Sequence, residues 1–488
     1  MSDAGAAHAL ALPQSAHADL PLCVDLDGTL VRTDTLVEGL LALAGGMRFG
    51  TLLGAFAGGR AALKARVAEA APTDPALLPY NEALLDYLRD QRAAGRRLVL
   101  ATAANEDVAR RVAEHLGLFD EVIASSAARN LKGAAKAAAL VERFGRGGFV
   151  YAGDARADLG VWEWAGAAVL VETSAGVAAR VRVPVERRIA TRPHLAPTLL
   201  RAMRPHQWVK NMLVFVPILT SHALLDLGSW WGGLQAFAAF SAAASGIYLV
   251  NDLLDLAADR AHSAKRHRPF ASGAAPLGWG IGLGAALLVL AAVLAWQAGI
   301  LLVVAIYAGA SMAYSLTLKR QPLVDVFTLA GLFTIRMFGG GEATGHSLSL
   351  WLLAFSIFLF LSLALVKRVA ELRESAGRVR RTVAGRGYGP GDIEILQTFG
   401  VCASFAASLV LALYVQNEAA TGRFAAPGLL WGIVPLVLLW NCRMWLSTAR
   451  GYMHHDPILY AARDRVTWAI VLAVVAVMLA ARTGLGMK

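Results

Sequence analysis

The chain has 488 residues, of which 57% are hydrophobic, and its mean hydropathy is +0.52. This length is more than one hydrophobic core usually organises, and the apolar fraction exceeds that of a typical soluble protein. The net charge of +11 lies largely in segments that connect apolar stretches, so membrane topology explains it and no nucleic-acid partner is needed. Composition therefore predicts more than one domain, with one in a membrane, and argues against a nucleic-acid-binding protein.

The two halves of the chain differ in composition. Residues 1–200 have mixed charge, whereas residues 209–483 are dominated by apolar stretches long enough to span a bilayer. The first 19 residues lack the basic start and apolar core of a secretory signal, and we predict a disordered tail there. In chain order we predict a tail at 1–19, a soluble domain at 20–185, a linker at 186–202 and a membrane domain at 203–488.

The soluble domain alternates apolar strands with helical segments. This alternation predicts a parallel, Rossmann-like α/β sheet, in which ligands gather at the carboxyl ends of the strands. A helical insertion rich in Leu, Ala and Gly occupies residues 34–75, between the first and second strands. The predicted strands are 21–26, 97–101, 120–124, 148–152 and 167–171.

Polar residues follow these strands in a recognisable order. They are Asp25 and Asp27 after the first strand, Thr102 after the second, Lys132 at the start of a helix, and Asp154 and Asp158 after the fourth strand. These four motifs resemble those of the haloacid dehalogenase (HAD) phosphatase superfamily, over about residues 20–175. Four motifs in order at strand ends are far more specific than a single Asp-x-Asp-Gly-Thr.

The resemblance implies a role for each of these side chains. Asp25 would be the nucleophile that forms an aspartyl-phosphate, and Asp27 would be the general acid and base. Thr102 and Lys132 would hold the transferring phosphoryl group, with Lys136 as a second candidate for the lysine role. Residues 34–75 would form the cap, whose apolar character suits either a lipid-linked phosphate ester or an ordinary cap core. The expected Mg²⁺ ligands are drawn from Asp25, Asp27, Asp154 and Asp158.

Nine apolar segments in the second half are predicted to span the membrane. Basic residues concentrate in the loops after the second, fourth, sixth and eighth spans, which predicts that these loops and the soluble domain face the cytoplasm. The protein is therefore expected in the inner (cytoplasmic) membrane, with its C-terminus on the opposite side. The basic segment 367–394 either closes over a site or only sets topology. The predicted spans are 209–226, 231–250, 277–297, 299–317, 322–341, 349–367, 395–416, 427–446 and 467–483.

An acidic stripe ends the second span. On a continuous helix, Asn251, Asp252, Asp255 and Asp259 would fall within one arc of about 100°. Three carboxylates on one face at a membrane boundary require a cation, and oxygen-only ligands suit Mg²⁺ bridging to a substrate phosphate. A basic cluster at 265–268 follows directly and suits a phosphate ester.

The stripe resembles the first aspartate-rich motif of the UbiA-type prenyltransferase superfamily, over about residues 200–485, and nine spans fit that all-α fold. Blocks beginning at Arg204, Arg260 and Tyr314 resemble its decaprenyl-phosphate phosphoribosyltransferase branch. Members of that branch transfer 5-phosphoribose from phosphoribosyl pyrophosphate (PRPP) to a polyprenyl phosphate. The resemblance implies that Asp252, Asp255 and Asp259 hold Mg²⁺ and pyrophosphate. The implied substrate-binding residues are Lys210, Asn211, Asn251, Lys265, Arg268, Tyr314, Lys319, Asp325 and Arg336.

Two features refine this interpretation. Most superfamily members use a second aspartate-rich motif after the fourth span, but here residues 314–325 hold one acid, Asp325, and Lys319 would neutralise phosphate instead. Arg336 lies near the middle of the fifth span, where an arginine usually faces the bundle interior and marks a ligand path, the alternative being that it reaches the interface.

Together the two halves predict a bifunctional membrane enzyme. The membrane domain would join PRPP and a polyprenyl phosphate, and the phosphatase domain would remove the 5-phosphate, with one Mg²⁺ in each domain. One alternative is an aromatic prenyltransferase that uses a prenyl diphosphate, with an independent phosphatase. Another is a lipid or solute transporter, which would predict inverted repeats. The sequence leaves open whether the chain forms a homo-oligomer.

Overall fold

The computed structural model describes residues 17–48, 50, 51, 54, 59–126, 129–221, 223–376, 387–419, 424–453 and 456–483. Most of the predicted tail at 1–19 lies outside these residues. The chain divides into two compact units. The first contains residues 1–202 and 249–282, and the second contains residues 203–248 and 283–488.

The first unit is built on a six-stranded parallel sheet with strand order β3-β2-β1-β4-β5-β6. The five strands predicted from the sequence are confirmed, and the sixth lies in the segment predicted as a linker at 186–202. That strand, with the sequence Val-Glu-Arg-Arg-Ile, lacks a continuous apolar run because it forms the edge of the sheet. The strands are β1 (Leu22–Val24), β2 (Leu98–Asn105), β3 (Glu121–Ser125), β4 (Val150–Gly153), β5 (Ala167–Val171) and β6 (Val185–Ile189).

Helices cover both faces of the sheet, because alternate side chains of each strand enter opposite cores. In β1, Leu22 and Val24 pack into one core and Cys23 packs into the other. The first two helices lie inside the predicted cap at 34–75. The helices are α1 (Thr35–Gly45), α2 (Gly59–Ala70), α3 (Glu82–Ala93), α4 (Glu106–Leu116), α5 (Ala134–Phe144), α6 (Leu159–Trp162), α7 (Ala175–Ala178) and α8 (Leu195–Met203).

Residues 249–282 belong to the first unit and are tied to it by a buried ion pair. Arg260 donates from Nη1 to Oε2 of Glu38 at 2.9 Å and from Nη2 to Oε1, and both side chains are at most 10% exposed. Thr33 donates to the same carboxylate at 2.5 Å. Nearby, Gly273 has a φ of +69°, and a Cβ there would lie 2.5 Å from Cβ of Arg32. The segment that follows the acidic stripe therefore packs directly on the phosphatase-like domain.

The remaining helices are mostly apolar. Seven of them in the described residues are long and apolar enough to cross a membrane, so the chain is a multi-pass membrane protein. Their exposed side chains are large and apolar, for example Leu302, Trp296 and Leu472, each more than 65% exposed, as expected of a surface that faces lipid. The helices are α9 (Val216–Thr220), α10 (Leu227–Leu254), α11 (Leu256–Ala261), α12 (Leu277–Gln297), α13 (Leu301–Leu316), α14 (Val324–Thr344), α15 (Leu350–Ala376), α16 (Ile393–Ala419), α17 (Ile433–Ala449), α18 (Pro457–Arg463) and α19 (Arg465–Thr483).

The prediction of nine spans is not confirmed. The segment 209–226 is divided between a 3₁₀ helix at Pro205–Phe215 and the five-residue helix α9, since Pro217 interrupts the ladder of backbone hydrogen bonds. The segment 299–317 forms α13, whose 16 residues are shorter than the roughly 20 needed to cross a bilayer upright. Hydropathy alone could not separate these segments from full spans.

Within the second unit, glycines permit close helix packing. A Cβ at Gly340 would lie 2.1 Å from the carbonyl oxygen of Val214, and one at Gly400 would lie 2.1 Å from the ring of Trp445. Only glycine allows these approaches, which is the usual way in which membrane helices gain contact area.

The Glu38–Arg260 pair supports a stability prediction. Glu38→Ala leaves the Arg260 guanidinium buried without its carboxylate, which typically costs about 3–5 kcal/mol. We expect a lower apparent unfolding temperature for the full chain in detergent micelles and faster proteolysis of the soluble half. The control is Glu69→Ala, which removes an exposed carboxylate from α2. Equal unfolding temperatures for the two variants would show that the ion pair does not hold this segment.

Candidate active sites

Three carboxylates converge at the carboxyl ends of β1 and β4. One oxygen from each of Asp25, Asp154 and Asp158 lies within 4.8 Å of the others, the only such group of three or more acidic, His or Cys side chains found among the described residues. Asp158 is held by backbone amides, accepting from Asp154 N at 3.2 Å and Ala155 N at 3.1 Å. Burial and the neighbouring carboxylates of Asp158 and Asp25 raise the pKa of Asp154 to about 7. Such crowded hard oxygen donors fit a divalent cation such as Mg²⁺.

Lys136 is the cation that the structure provides for this cluster. Its Nζ lies 2.8 Å from Oδ2 of Asp25 and 3.8 Å from Oδ1 of Asp158. Nζ also donates to the hydroxyl of Tyr151 at 2.7 Å, and that hydroxyl donates to Asp158 at 3.0 Å. The ammonium group is buried, so its charge acts on the reacting centre with little screening by water.

The turn after β1 positions Asp27. Its Oδ1 accepts from the backbone N–H of Thr35 at 2.9 Å, so it faces the start of the cap and does not join the three-carboxylate group. The structure thus places the carboxylate of Asp27 outside the three-carboxylate group, and its role as a metal ligand stays a prediction. Burial, together with Asp34 and Asp25, raises the pKa of Asp27 to about 7, which suits a group that gives and takes a proton at neutral pH.

Gly28 lets the turn approach the cluster closely. Its φ is +80°, and a Cβ there would lie 2.4 Å from Oδ2 of Asp154. Any larger residue would therefore collide with a cation ligand. Thr29, the next residue, donates to Oδ1 of Asp154 at 3.2 Å and orients it.

These groups open into a cavity of about 740 Å³. Thr102 and Lys132 line it, as predicted, and Lys64 of the cap helix α2 reaches it from the other side, where Nζ lies 3.0 Å from Oδ1 of Asn130. The contacts favour Lys136 over Lys132 for the lysine beside the nucleophile. The two lysines are four residues apart, with Lys132 before α5 and Lys136 on it, and the sequence alone did not show which one lies beside Asp25.

In the acidic stripe, Arg268 joins two of the three predicted carboxylates. Its Nη1 lies 2.7 Å from Oδ2 of Asp259 and 3.1 Å from Oδ1 of Asp252. Both carboxylates are at most 4% exposed, whereas the arginine is 27% exposed. Asp255 falls at the break between α10 and α11, although Asp259 N still donates to its carbonyl oxygen at 2.8 Å. The structure thus brings Asp252 and Asp259 together around Arg268, whereas the predicted continuous helix is interrupted at Asp255.

Arg336 is buried inside the second unit, so the interior position is confirmed and the interfacial alternative is wrong. Its Nε donates to Oδ1 of Asn211 at 2.7 Å, and Nη2 donates to the hydroxyl of Tyr307 at 2.9 Å. Nη1 donates to the carbonyl oxygen of Leu332. Asn211 in turn donates to Ser241 at 3.0 Å. Arg336 therefore links several helices through a hydrogen-bond network.

Lys210 is paired with Asp456, which the sequence did not identify as a site residue. Lys210 donates to Oδ2 of Asp456, and Nζ of Lys367 lies 3.7 Å from the same oxygen. All three side chains line one small pocket. One carboxylate shared by two lysines leaves a local excess of positive charge that suits a phosphate group.

Asp325 does not offer its carboxylate to a ligand. It and Arg368 are both 0% exposed, with Oδ2 of Asp325 2.6 Å from Nη2 of Arg368. The hydroxyl of Tyr388 donates to Oδ1 at 2.5 Å. The charge of Asp325 is thus neutralised inside the protein, and its role in substrate binding stays a prediction.

The other predicted residues have distinct environments. Asn251 lies in the last turn of α10 and Lys265 on an exposed turn after α11. Tyr314 lies near the end of α13, and Lys319 lies half-buried on the 3₁₀ turn that follows.

Sequence reasoning also missed Tyr151 and two cavity-lining arginines, Arg32 and Arg192. In the sequence, nothing distinguishes Tyr151 from an ordinary strand residue. Arg192 follows the sixth strand, which was itself missed. Only the alternation of apolar and charged residues in Val-Glu-Arg-Arg-Ile could have suggested that the sheet continues there.

Family models match both halves of the chain. The UbiA prenyltransferase family matches residues 214–454, and the haloacid dehalogenase-like hydrolase matches residues 39–163. The chain is 37% identical over 468 residues to the uncharacterized protein y4nM of Sinorhizobium fredii, covering 92% of this chain and 89% of that protein. It is 34% identical over 280 residues to the nodulation protein NoeC of Azorhizobium caulinodans, covering 56% of this chain and 90% of that protein. It is 35% identical over 219 residues to the decaprenyl-phosphate phosphoribosyltransferase of Corynebacterium glutamicum, covering 43% of this chain and 65% of that protein.

The raised pKa of Asp27 generates a prediction on pH dependence. A carboxyl group that donates a proton to a leaving alkoxide is active below its pKa, so kcat/KM for an alkyl phosphate should fall as pH rises above about 7. The expected slope is about tenfold per pH unit. With p-nitrophenyl phosphate, whose leaving group needs no proton, the decline should be shallower. Identical profiles for the two esters at saturating Mg²⁺ would exclude Asp27 as the general acid.

Proposed function

Because the chain belongs to the UbiA prenyltransferase family and carries a haloacid dehalogenase-like hydrolase domain, we propose that it is a bifunctional membrane enzyme of polyprenyl-phosphate ribosylation. Its membrane half transfers 5-phosphoribose from PRPP to a polyprenyl phosphate. Its soluble half then hydrolyses the 5-phosphate of the lipid-linked product. The protein resides in the inner membrane, with both sites on the cytoplasmic side.

The observation that carries the choice of substrate is the neutralised Asp325. A prenyl diphosphate site with two metal ions needs a second set of free carboxylates after the fourth apolar segment. Residues 314–325 contain a single acid, and Arg368 already neutralises it. The similarity to a decaprenyl-phosphate phosphoribosyltransferase over 219 residues supports the same choice.

In the first reaction, a phosphate oxygen of the polyprenyl phosphate attacks C1 of the ribose, and the bond from C1 to the pyrophosphate oxygen breaks. The lipid phosphate is already an anionic nucleophile, so no base is needed. The binding problem is to hold two anions together, and Lys210 and Lys319 of the second unit are the cations we assign to it.

In the second reaction, a carboxylate oxygen of Asp25 attacks the phosphorus of the 5-phosphate, and the bond to the ribose O5 breaks. Asp27 gives its proton to O5, then removes a proton from the water that hydrolyses the aspartyl-phosphate. Lys136, at 2.8 Å from Asp25, neutralises charge on the transferring group. Release of inorganic phosphate makes the overall sequence effectively irreversible.

Both halves have oxygen donors of the class that Mg²⁺ prefers. In the soluble half, Asp25, Asp154 and Asp158 converge and would hold the ion, which would supply further charge neutralisation at the phosphoryl group. In the membrane half, Asp252 and Asp259 have suitable donors, but they are bound to Arg268, so an ion there would have to share them with the arginine.

The order of the two reactions can be tested with Asp25→Asn. Full-length protein in nanodiscs is given PRPP labelled in the ribose, decaprenyl phosphate and Mg²⁺. The wild type should form ribosylated lipid without the 5-phosphate. Asp25→Asn should accumulate the lipid that retains it, because the nucleophile is lost while transfer continues. Asp86→Asn, which changes a 71% exposed carboxylate on α3, serves as the control. The aromatic prenyltransferase would be favoured instead by two results with the wild type. The lipid would remain unlabelled, and a prenylated product would form from a prenyl diphosphate and an aromatic acid.

The acidic stripe should be essential for transfer. Asp252→Asn and Asp259→Asn should each lower ribosyl transfer by about 100-fold or more, because each removes a carboxylate that would hold the cations needed by the anionic substrate. Phosphatase activity on a soluble ester should persist. The matched control is Glu394→Gln, an exposed acid at the start of α16. Near wild-type transfer by both stripe variants would show that the stripe is not part of the transferase site.

A further inference from the structure

The cavity above the nucleophile is larger than a phosphoryl group needs. Its volume of about 740 Å³ is of the size that holds a whole small-molecule ligand, typically about 300–1,000 Å³. Asp25, Asp154, Asp158 and Lys136 occupy one part of its wall. The remainder must recognise the rest of the substrate.

Two arginines also line the cavity. Arg32 follows the Asp25–Asp27 turn, and Arg192 follows the edge strand β6. Arg32 donates from Nη2 to Thr191 at 2.5 Å, which fixes it beside the segment that carries Arg192. Burial, and to a smaller extent the positive charge of Arg32, lower the pKa of Arg192.

Neither arginine is fully satisfied by the protein. The Nε atoms of Arg32 and Arg192 are both buried, and neither has a hydrogen-bond partner among the described residues. The nearest acids are engaged elsewhere. Glu172 accepts from the backbone N–H groups of Thr191 and Arg192, and Asp154 belongs to the carboxylate cluster. A buried donor without a partner is unfavourable, so an anion bound between the arginines would be stabilised.

The rim of the cavity includes residues from the segment 249–282 of the same unit. Pro276, Leu277 and Gly278, at the start of the apolar helix α12, contribute to its lining, together with Leu36 and Leu63 of the cap. Gly273 packs against Arg32 at a distance that excludes any side chain, which holds this segment in place. An anionic subsite, an apolar wall and the end of a membrane helix are therefore adjacent.

We propose that Arg32 and Arg192 form a second phosphate subsite that selects phosphomonoesters carrying another phosphate on the same sugar. This rests on the proposed function, whose lipid product carries a 5-phosphomonoester and a phosphodiester on one ribose. The monoester is bound at Asp25 and Lys136, the diester is bound by the arginines, and the lipid chain leaves past Pro276–Gly278.

The test compares two soluble probes, ribose 5-phosphate and ribose 1,5-bisphosphate, with full-length protein. The wild type should show kcat/KM for release of the 5-phosphate at least about tenfold higher with the bisphosphate, the gain expected from one charge-assisted contact. Arg32→Met and Arg192→Met should each collapse this ratio towards one, chiefly through KM. Arg192→Lys should retain part of this ratio, because lysine keeps the positive charge but lacks the paired N–H donors of the guanidinium group. Arg111→Met, an exposed arginine on α4, should keep the full ratio.

A binding measurement makes the result independent of turnover. On the Asp25→Asn background, calorimetry should give tighter binding of the bisphosphate than of ribose 5-phosphate, and the arginine variants should lose that difference. Equal binding of the two probes, or an unchanged ratio in both Met variants, would overturn the second subsite. These assays do not use PRPP or lipid. A failure of ribosyl transfer with the bisphosphate preference intact would therefore count against the proposed transferase alone.

Discussion

A carboxylate removed from water must be neutralised, and this constraint organises both halves of the protein. Asp25 is neutralised by Lys136, Glu38 by Arg260, and Asp325 by Arg368. Each of these acids is at most 12% exposed, so removing its cationic partner would lower the free energy of unfolding by several kcal/mol. The pairs differ in the net charge that remains around them. The Glu38 and Asp325 pairs are closed by neighbouring hydroxyls, whereas Asp25 shares its lysine with a cluster whose total charge is still negative.

That difference separates structural from reactive ion pairs. Around Asp25, three carboxylates face one ammonium group, so the cluster retains capacity for a cation and a phosphoryl group. In the acidic stripe, the two buried carboxylates of Asp252 and Asp259 share one partly exposed arginine, Arg268. Around Asp456 the balance is reversed, with two lysines for one carboxylate. Local excess charge of either sign therefore marks the places where we expect ionic ligands.

The architecture could be predicted where composition and periodicity are strong. Five strands followed from apolar runs between turn residues, and seven apolar helices followed from hydropathy. The sixth strand was missed because an edge strand needs no continuous apolar run. The predicted first and fourth spans were overestimated, because hydropathy counts apolar residues and does not detect Pro217 or a helix of 16 residues.

By itself, the sequence determined which residues are the candidates for the chemistry. The Asp25, Asp27 and Asp154 motifs and the stripe at Asp252 were recognisable, because local spacing encodes catalytic turns and helical faces. Only the tertiary structure decided how these groups are used. It selected Lys136 over Lys132, turned Asp27 away from the carboxylate cluster, buried Asp325 against Arg368, and brought Arg32 together with Arg192 across 160 positions. The physical reason is that charge neutralisation depends on distances between segments far apart in the chain, which local sequence patterns do not contain.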